Sequence, residues 1–332
     1  MDIDNEWDEF NEDESLEKSP QINDKNLRSI NITELYISTK TKILYLNQVI
    51  DLQATFWHLP VEPYLSRHDC IIKKQIKMQC STQEEVDTVQ SYLRTCDRVI
   101  DQDIIFSSLT DTSMQQREFK DVRKISIGMN NKDILNHRSK KKSAFYNCYV
   151  VILRIFHELR FREVHVKVFN TGKLEIPGIR DDSLLIKVQR YFIDLLQPVV
   201  AEKLCFIDDK CETVLINSNF NCGYFINRDK LYNILRNKYN INATFDPCSY
   251  PGIQCKYKFN DDAHISFMVF RTGSVLIVGK ADETMLFQVY DFLKQLMTDE
   301  YDKIADHTQI FDQTCKGQKL QKVRKRSINV SY

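Results

Sequence analysis

The stretch Phe267-Met-Val-Phe-Arg-Thr-Gly-Ser-Val-Leu-Ile-Val-Gly-Lys280 decides the fold, because a version of it, Val166-Lys-Val-Phe-Asn-Thr-Gly-Lys-Leu-Glu-Ile-Pro-Gly178, stands 101 residues upstream. Each is a pair of alternating, β-branched runs around Thr-Gly, the pattern of two strands joined by a tight turn. Setting Val164–Leu196 against Ile265–Met297 gives ten identities in 33 positions. They are Val168/Val269, Phe169/Phe270, Thr171/Thr272, Gly172/Gly273, Ile176/Ile277, Gly178/Gly279, Asp181/Asp282, Leu185/Leu286, Val188/Val289 and Leu195/Leu296. Both hairpins run on into an amphipathic helix, Asp181–Leu196 in the first copy. Further upstream, Tyr224-Phe-Ile226, Asp229, Leu231 and Leu235 resemble a strand and helix over Val49–Leu59. Each copy therefore reads strand, helix, strands, long helix. Two such copies cannot stack as an extended solenoid, so they suggest one pseudo-twofold α+β domain on a continuous sheet.

Strand parity separates the two faces of the second hairpin. Ile265, Phe267, Val269, Val275 and Ile277 share the face that seats the helix carrying Met285, Leu286, Val289, Leu293 and Leu296. The other face carries Ser266, Met268, Phe270, Leu276 and Val278. A sheet packed on one side only is polar on the other. An apolar second face implies a second covering, either more protein or a ligand that accepts an apolar floor.

Outward from the hairpins, Tyr149-Val-Val-Ile-Leu-Arg-Ile155 reads as a buried strand. Residues 28–64 read as a long strand and a helix, with Asp51 as cap, Leu52, Phe56 and Leu59 as its buried face, and Pro60 and Pro63 as its end. Between these lies a polar, irregular stretch, 65–142, with one helix over Thr82–Cys96 and a basic cluster, Arg138-Ser-Lys-Lys-Lys142; it reads as an insertion. The charge is sorted although 46 basic and 46 acidic residues cancel. Residues 1–27 carry ten carboxylates against Lys18 and Lys25, lack apolar periodicity and read as a disordered acidic tail. The last seventeen residues carry six basic side chains and no acid. The domain reading is then 1–27, a first repeat over 28–198, a second over 199–303, and a basic tail over 304–332.

Composition excludes several classes. Eight glycines in 332 residues leave no Gly-rich phosphate loop, and five of them (Gly172, Gly178, Gly252, Gly273, Gly279) fall at the turns and strand ends of the two motifs. Ten cysteines without one Cys-x-x-Cys pair read as reduced structural thiols, with no metal and no cofactor. His157-Glu158 lacks the second histidine of a zinc-hydrolase helix, and no Gly-x-Ser-x-Gly occurs, so an enzyme is not expected. No run of about 18 apolar residues is present and the start of the chain is acidic where a signal peptide is basic, so the expectation is an intracellular, non-secreted protein without membrane contact.

With these residues assembled, the chain resembles the TATA-box-binding protein family. The resemblance rests on the two hairpin motifs and on Ser249-Tyr-Pro-Gly-Ile253, and it covers about residues 30–64 and 143–300. The length, the insertion and the Lys/Asn/Ile-rich, Gly-poor usage are similar to the divergent forms carried by large nucleocytoplasmic DNA viruses. The resemblance implies a saddle: a curved antiparallel sheet, helices on its convex face, and a concave face that takes the minor groove of an AT-rich promoter duplex. Aromatic wedges enter base steps at the two ends; these proteins are themselves the standard example of that mode. In the second repeat Phe270 and Tyr250 match the wedge positions, Met268, Leu276 and Val278 the apolar floor, and Lys256 a phosphate-contacting arginine. In the first, Phe169 keeps one wedge, Cys148 aligns with the other unless Phe145 or Tyr146 substitutes, and Arg154 matches a phosphate contact. Lys167 and Glu175 stand on normally apolar floor positions. The family's central asparagines correspond to Asn217 or Asn219 in the second repeat and to Thr39 in the first. The implied partners are a transcription-factor-IIB-like protein on the turn near Tyr250–Ile253 and an RNA polymerase, with no small-molecule substrate. The implied location is the host nucleus, a cytoplasmic viral factory or the virion. The competing expectation is a protein–protein scaffold on the same fold that has lost sequence-specific DNA binding, motivated by Cys148, Lys167 and Glu175.

Overall fold

The β-branched and aromatic run Tyr36–Tyr45 makes the first strand, β1, of a twelve-stranded antiparallel sheet. The computed structural model describes residues 31–98, 100–108, 119–135, 145–258, 264–280 and 282–306. The acidic segment 1–27, the cluster 138–142 and the basic residues of the C-terminal tail lie outside them. By contacts the chain divides into 1–31 and 32–332, and the architecture below is that of the second unit.

After β1 come α1 (Leu52–His58), β2 (Cys70–Cys80), α2 (Gln83–Arg94), β3 (Ile100–Ser108), β4 (Lys120–Gly128) and α3 (Asn131–Leu135). Then follow β5 (Cys148–His157), β6 (Arg160–Phe169), β7 (Lys173–Ile179), α4 (Asp182–Leu196) and β8 (Glu212–Asn221). The chain continues through α5 (Arg228–Asn237), β9 (Asn242–Thr244), β10 (Ile253–Lys258), β11 (His264–Val269), β12 (Ser274–Gly279), α6 (Glu283–Asp299) and α7 (Tyr301–Ile304). The sheet order is β3-β4-β2-β5-β6-β7-β1-β8-β12-β11-β10-β9. Outward from the central β1–β8 pair, both directions meet the last strand of their motif, then the preceding one, then the one before that.

The identities between the copies have local causes. Asp181 and Asp282 are the N-caps of α4 and α6, accepting from Leu184 N and Met285 N at 2.8 Å each, an arrangement worth about 1 kcal/mol per helix. Leu185, Val188, Leu286 and Val289 are buried on the helix faces turned to the sheet. One core gathers Tyr149, Val151, Leu153, Val166, Val168, Leu174 and Ile176 under α4. The other gathers Ile265, Phe267, Val269, Val275 and Ile277 under α6, the face expected from parity. Gly172 and Gly273 take φ of +79° and +83°, which side-chain-bearing residues adopt only under strain.

Two expectations are corrected. The described residues of 65–142 are not irregular: β2, β4 and β3 extend the sheet beyond β5, and α2 packs beside α1 with Trp57 stacked on Tyr92 at 4.7 Å. Ile71, Ile76, Met78, Ile125 and Ile127 join the first core, while Lys77, Gln75, Lys124 and Ser126 alternate with them and give the stretch its polar look. Residues 224–226 form no strand. Ile226 N donates to Arg271 O as Ile50 N does to Asn170 O, so both segments are linkers laid against a hairpin turn, and Asn227 caps the helix that follows.

Lys74 on β2 is 4% exposed and donates to Phe56 O and Leu59 O, carbonyls at the end of α1. Burial lowers its pKa to about 8. The unfolded chain then binds more protons between pH 8 and the free-lysine value near 10.5, so this group adds stability as pH rises through that window. Relative to Lys74→Met, the parent chain is expected to gain about 2 kcal/mol between pH 7.5 and 9.5. Urea unfolding of both proteins at the two pH values checks this, and a pH-independent difference would refute it.

Candidate nucleic-acid interface

The face of the second hairpin turned away from α6 is built in rows by strand register. One row runs Asn219, Leu276, Met268, Gln254; the next runs Asn217, Val278, Ser266, Lys256. Met268, Leu276 and Val278 are 5%, 3% and 6% exposed, so each is covered although none faces the helices. Lys256 is exposed at the outer end of its row.

At the hairpin's turn end the rings of Tyr250 and Phe270 lie 6.0 Å apart at 58°, both half-buried. Gly252 sits between them: a Cβ there would come within 3.1 Å of each ring. The turn that carries Tyr250 is braced by its own polar groups. Asp246 accepts from Cys248 N and Ser249 Oγ, and these bonds, the Ser249 bond foremost, hold its carboxyl below the usual carboxylate range. From α5, Arg228 donates to Pro251 O and lies over the Phe245 ring. The aromatic pair therefore projects from a turn fixed on both sides.

At the sheet centre, Asn217 and not Asn219 is the residue that meets Thr39. The two residues are directly opposed across β8 and β1, and Asn217 Nδ2 donates to Thr39 Oγ1 at 3.1 Å. Asn219 faces Tyr36 instead.

The first hairpin is built differently. Lys167 and Glu175 oppose each other across β6 and β7 and form an ion pair at 2.6 Å, with Glu175 6% exposed. The carboxylate that sequence alone sets against a phosphate-rich partner is thus neutralised within the sheet. Cys148 is the direct partner of Phe169, as register makes Gly252 the residue facing Phe270. Cys148 thus holds the place of Gly252, and Tyr146, two residues earlier, holds that of Tyr250. Burial raises the Cys148 thiol pKa. Tyr146 is 49% exposed and carries Lys77 Nζ 4.0 Å from its ring centroid, while Lys173 Nζ lies 5.2 Å from that of Phe169.

Arg154 is not presented as a phosphate contact. Its guanidinium lies over Phe161 at 3.8 Å and Tyr64 at 5.6 Å, and it donates to Ser66 O. Around it Cys70, Ile72 and Ile152 form a small core, with Tyr64 against it, on the side of the sheet opposite α4. Next to this, Lys73 pairs with Asp133 at 2.7 Å and Glu163 accepts from Asn131 N at 2.8 Å. The segments before β2 and after β4 thus occupy the face that the sequence assigned to ligand. Nothing in the spacing of Tyr64 or Ser66 signals these roles, because each depends on which strands are neighbours.

No family model matches the chain. A protein named TATA-box-binding protein-like, from Acanthamoeba polyphaga mimivirus, is 26% identical over 201 residues, 52% of this chain and 54% of that protein. The chain thus spans about half the length of this relative and resembles it as a divergent viral form. Among solved structures, Methanococcus jannaschii TBP aligns with a TM-score of 0.44 at 12% identity, covering 80% of this chain and 99% of that one. No helix among the described residues is long and apolar enough to cross a membrane.

Proposed function

We propose that this chain is a non-enzymatic TATA-box-binding-protein-like initiation factor that holds AT-rich promoter DNA by its minor groove. In this reading the two motifs form the pseudo-twofold saddle, and the second does most of the binding. The observation that carries the reading is the Tyr250–Phe270 pair at the end of an apolar strip, Met268, Leu276 and Val278, that runs to polar Asn217 and Thr39 at the sheet centre. An apolar floor suits a groove whose base edges offer few distinguishing groups, and aromatic wedges replace the stacking lost where the duplex kinks. The turn at 246–253 would receive a transcription-factor-IIB-like partner, with an RNA polymerase recruited afterwards in a viral factory or host nucleus.

Titration against AT-rich and GC-rich duplexes of equal length at a stated salt concentration tests this. Preference for the AT-rich duplex is expected; equal or absent binding would favour the scaffold reading, for which the internally occupied face around Arg154 speaks. Lys256→Gln is expected to reduce the slope of log affinity against log salt by about 1, the loss of one phosphate contact. Arg154→Gln is expected to leave that slope unchanged, because its guanidinium is spent on Phe161, Tyr64 and Ser66.

A further inference from the structure

The pair His157-Glu158, which lacks the second histidine of a zinc-hydrolase helix in the sequence, meets a carboxylate, Asp181, in the fold. His157 ends β5 and Arg160, its cross-strand partner, begins β6, so Glu158 and Leu159 are a two-residue turn. That turn brings the histidine to the start of α4, where Asp181 is the N-cap. His157 Nε2 lies 3.2 Å from Asp181 Oδ2. Donor atoms of His157, Glu158 and Asp181 all lie within 4.8 Å of one another.

We propose that His157, Glu158 and Asp181 form a site for a divalent transition-metal ion of the Zn2+ type, clipping the β5–β6 turn to the N-terminus of α4. For bonds of 2.0–2.2 Å, two ligand atoms of a tetrahedral ion stand about 3.4 Å apart, close to the His157–Asp181 separation. The two carboxylates are also held by groups outside the cluster. Asp181 uses Oδ1 for Ser183 Oγ and Leu184 N, at 2.6 and 2.8 Å, which leaves Oδ2 directed at the histidine. Glu158 is anchored by an ion pair with Arg162. His157 is 13% exposed at its side chain, while Asp181 is 36% exposed, so the imidazole is fixed by packing and an ion can still enter from the carboxylate side. Such outer support is what orients metal ligands. One imidazole with two carboxylates suits Zn2+, whereas Ca2+ and Mg2+ prefer all-oxygen sets. A fourth position is left for water.

The test uses the full chain with accessible thiols, Cys205, Cys211 and Cys248 among them, capped by iodoacetamide, and Zn2+ alone as the titrant in a calorimeter. Two variants are compared. Asp181→Asn keeps a good helix cap while removing the anionic ligand, and His157→Ala removes the imidazole. One ion per parent chain is expected, with affinity at least tenfold lower in each variant. No uptake by the parent chain, or an affinity that either variant leaves unchanged, overturns the assignment.

Discussion

Under the proposed function, Phe270→Ala is expected to lower affinity for an AT-rich duplex by roughly 10- to 100-fold, the equivalent of losing one ring stacked on a base. The ring stands at the end of β11 beside Tyr250, and the adjacent Val269 belongs to the core, so the strand keeps its anchor when Phe270 is shortened. Phe169→Ala is expected to have a smaller effect. The residue opposite Phe169 is the buried thiol of Cys148, and the corresponding aromatic, Tyr146, is engaged by Lys77. Fluorescence anisotropy at fixed low salt, with circular dichroism to confirm folding, measures both. If Phe270→Ala binds as the parent does, the second repeat does not wedge DNA and the minor-groove reading fails.

Gly273→Ala is expected to destabilise the fold by about 2–4 kcal/mol, from left-handed backbone strain plus a steric clash. A Cβ at Gly273 would lie 2.3 Å from Tyr224 O, and the loop carrying that carbonyl cannot recede freely. Cys222 N donates to Gly273 O, and Ile226 N donates to Arg271 O, both at 2.8 Å. The first repeat repeats this arrangement: Cβ at Gly172 would meet Gln48 O at 2.3 Å, while Leu46 N donates to Gly172 O and Ile50 N to Asn170 O. Gly172→Ala is therefore expected to cost a similar amount. Gly178→Ala separates the two causes, since φ is +77° there but no atom lies within 4 Å; about 1 kcal/mol is expected. Urea midpoints of the three variants decide, and equal losses at all three would remove the clash from the account.

The hairpins, their helices and the Asp51 cap were legible because their signals are local. Thr-Gly marks each turn, Asp51 stands just before the apolar face of α1, and Ile265, Phe267 and Val269 alternate. The strands β2 to β4 were not legible, because Lys and Gln between their apolar positions look like loop composition until a core is present to receive Ile76, Met78 and Ile125. Among the candidate site residues, Phe270, Tyr250, Met268, Leu276 and Val278 are neighbours on the face turned away from α6. Arg154 does not join them, since Tyr64 and Phe161 hold its guanidinium on a face that other segments cover.

What the chain order by itself determined is thus the duplicated hairpin-and-helix unit and the identity of its apolar faces, through interactions that reach one turn or one strand step. Only the tertiary structure decided how these faces are used. Asn217 meets Thr39 from 178 positions away, Lys167 cancels Glu175 across two strands, and Asp181 closes on His157 24 positions back. Each depends on register and on which strands become neighbours. Periodicity carries no trace of either, because a cross-strand partner is chosen by the burial of whole faces and not by the residues beside it in sequence.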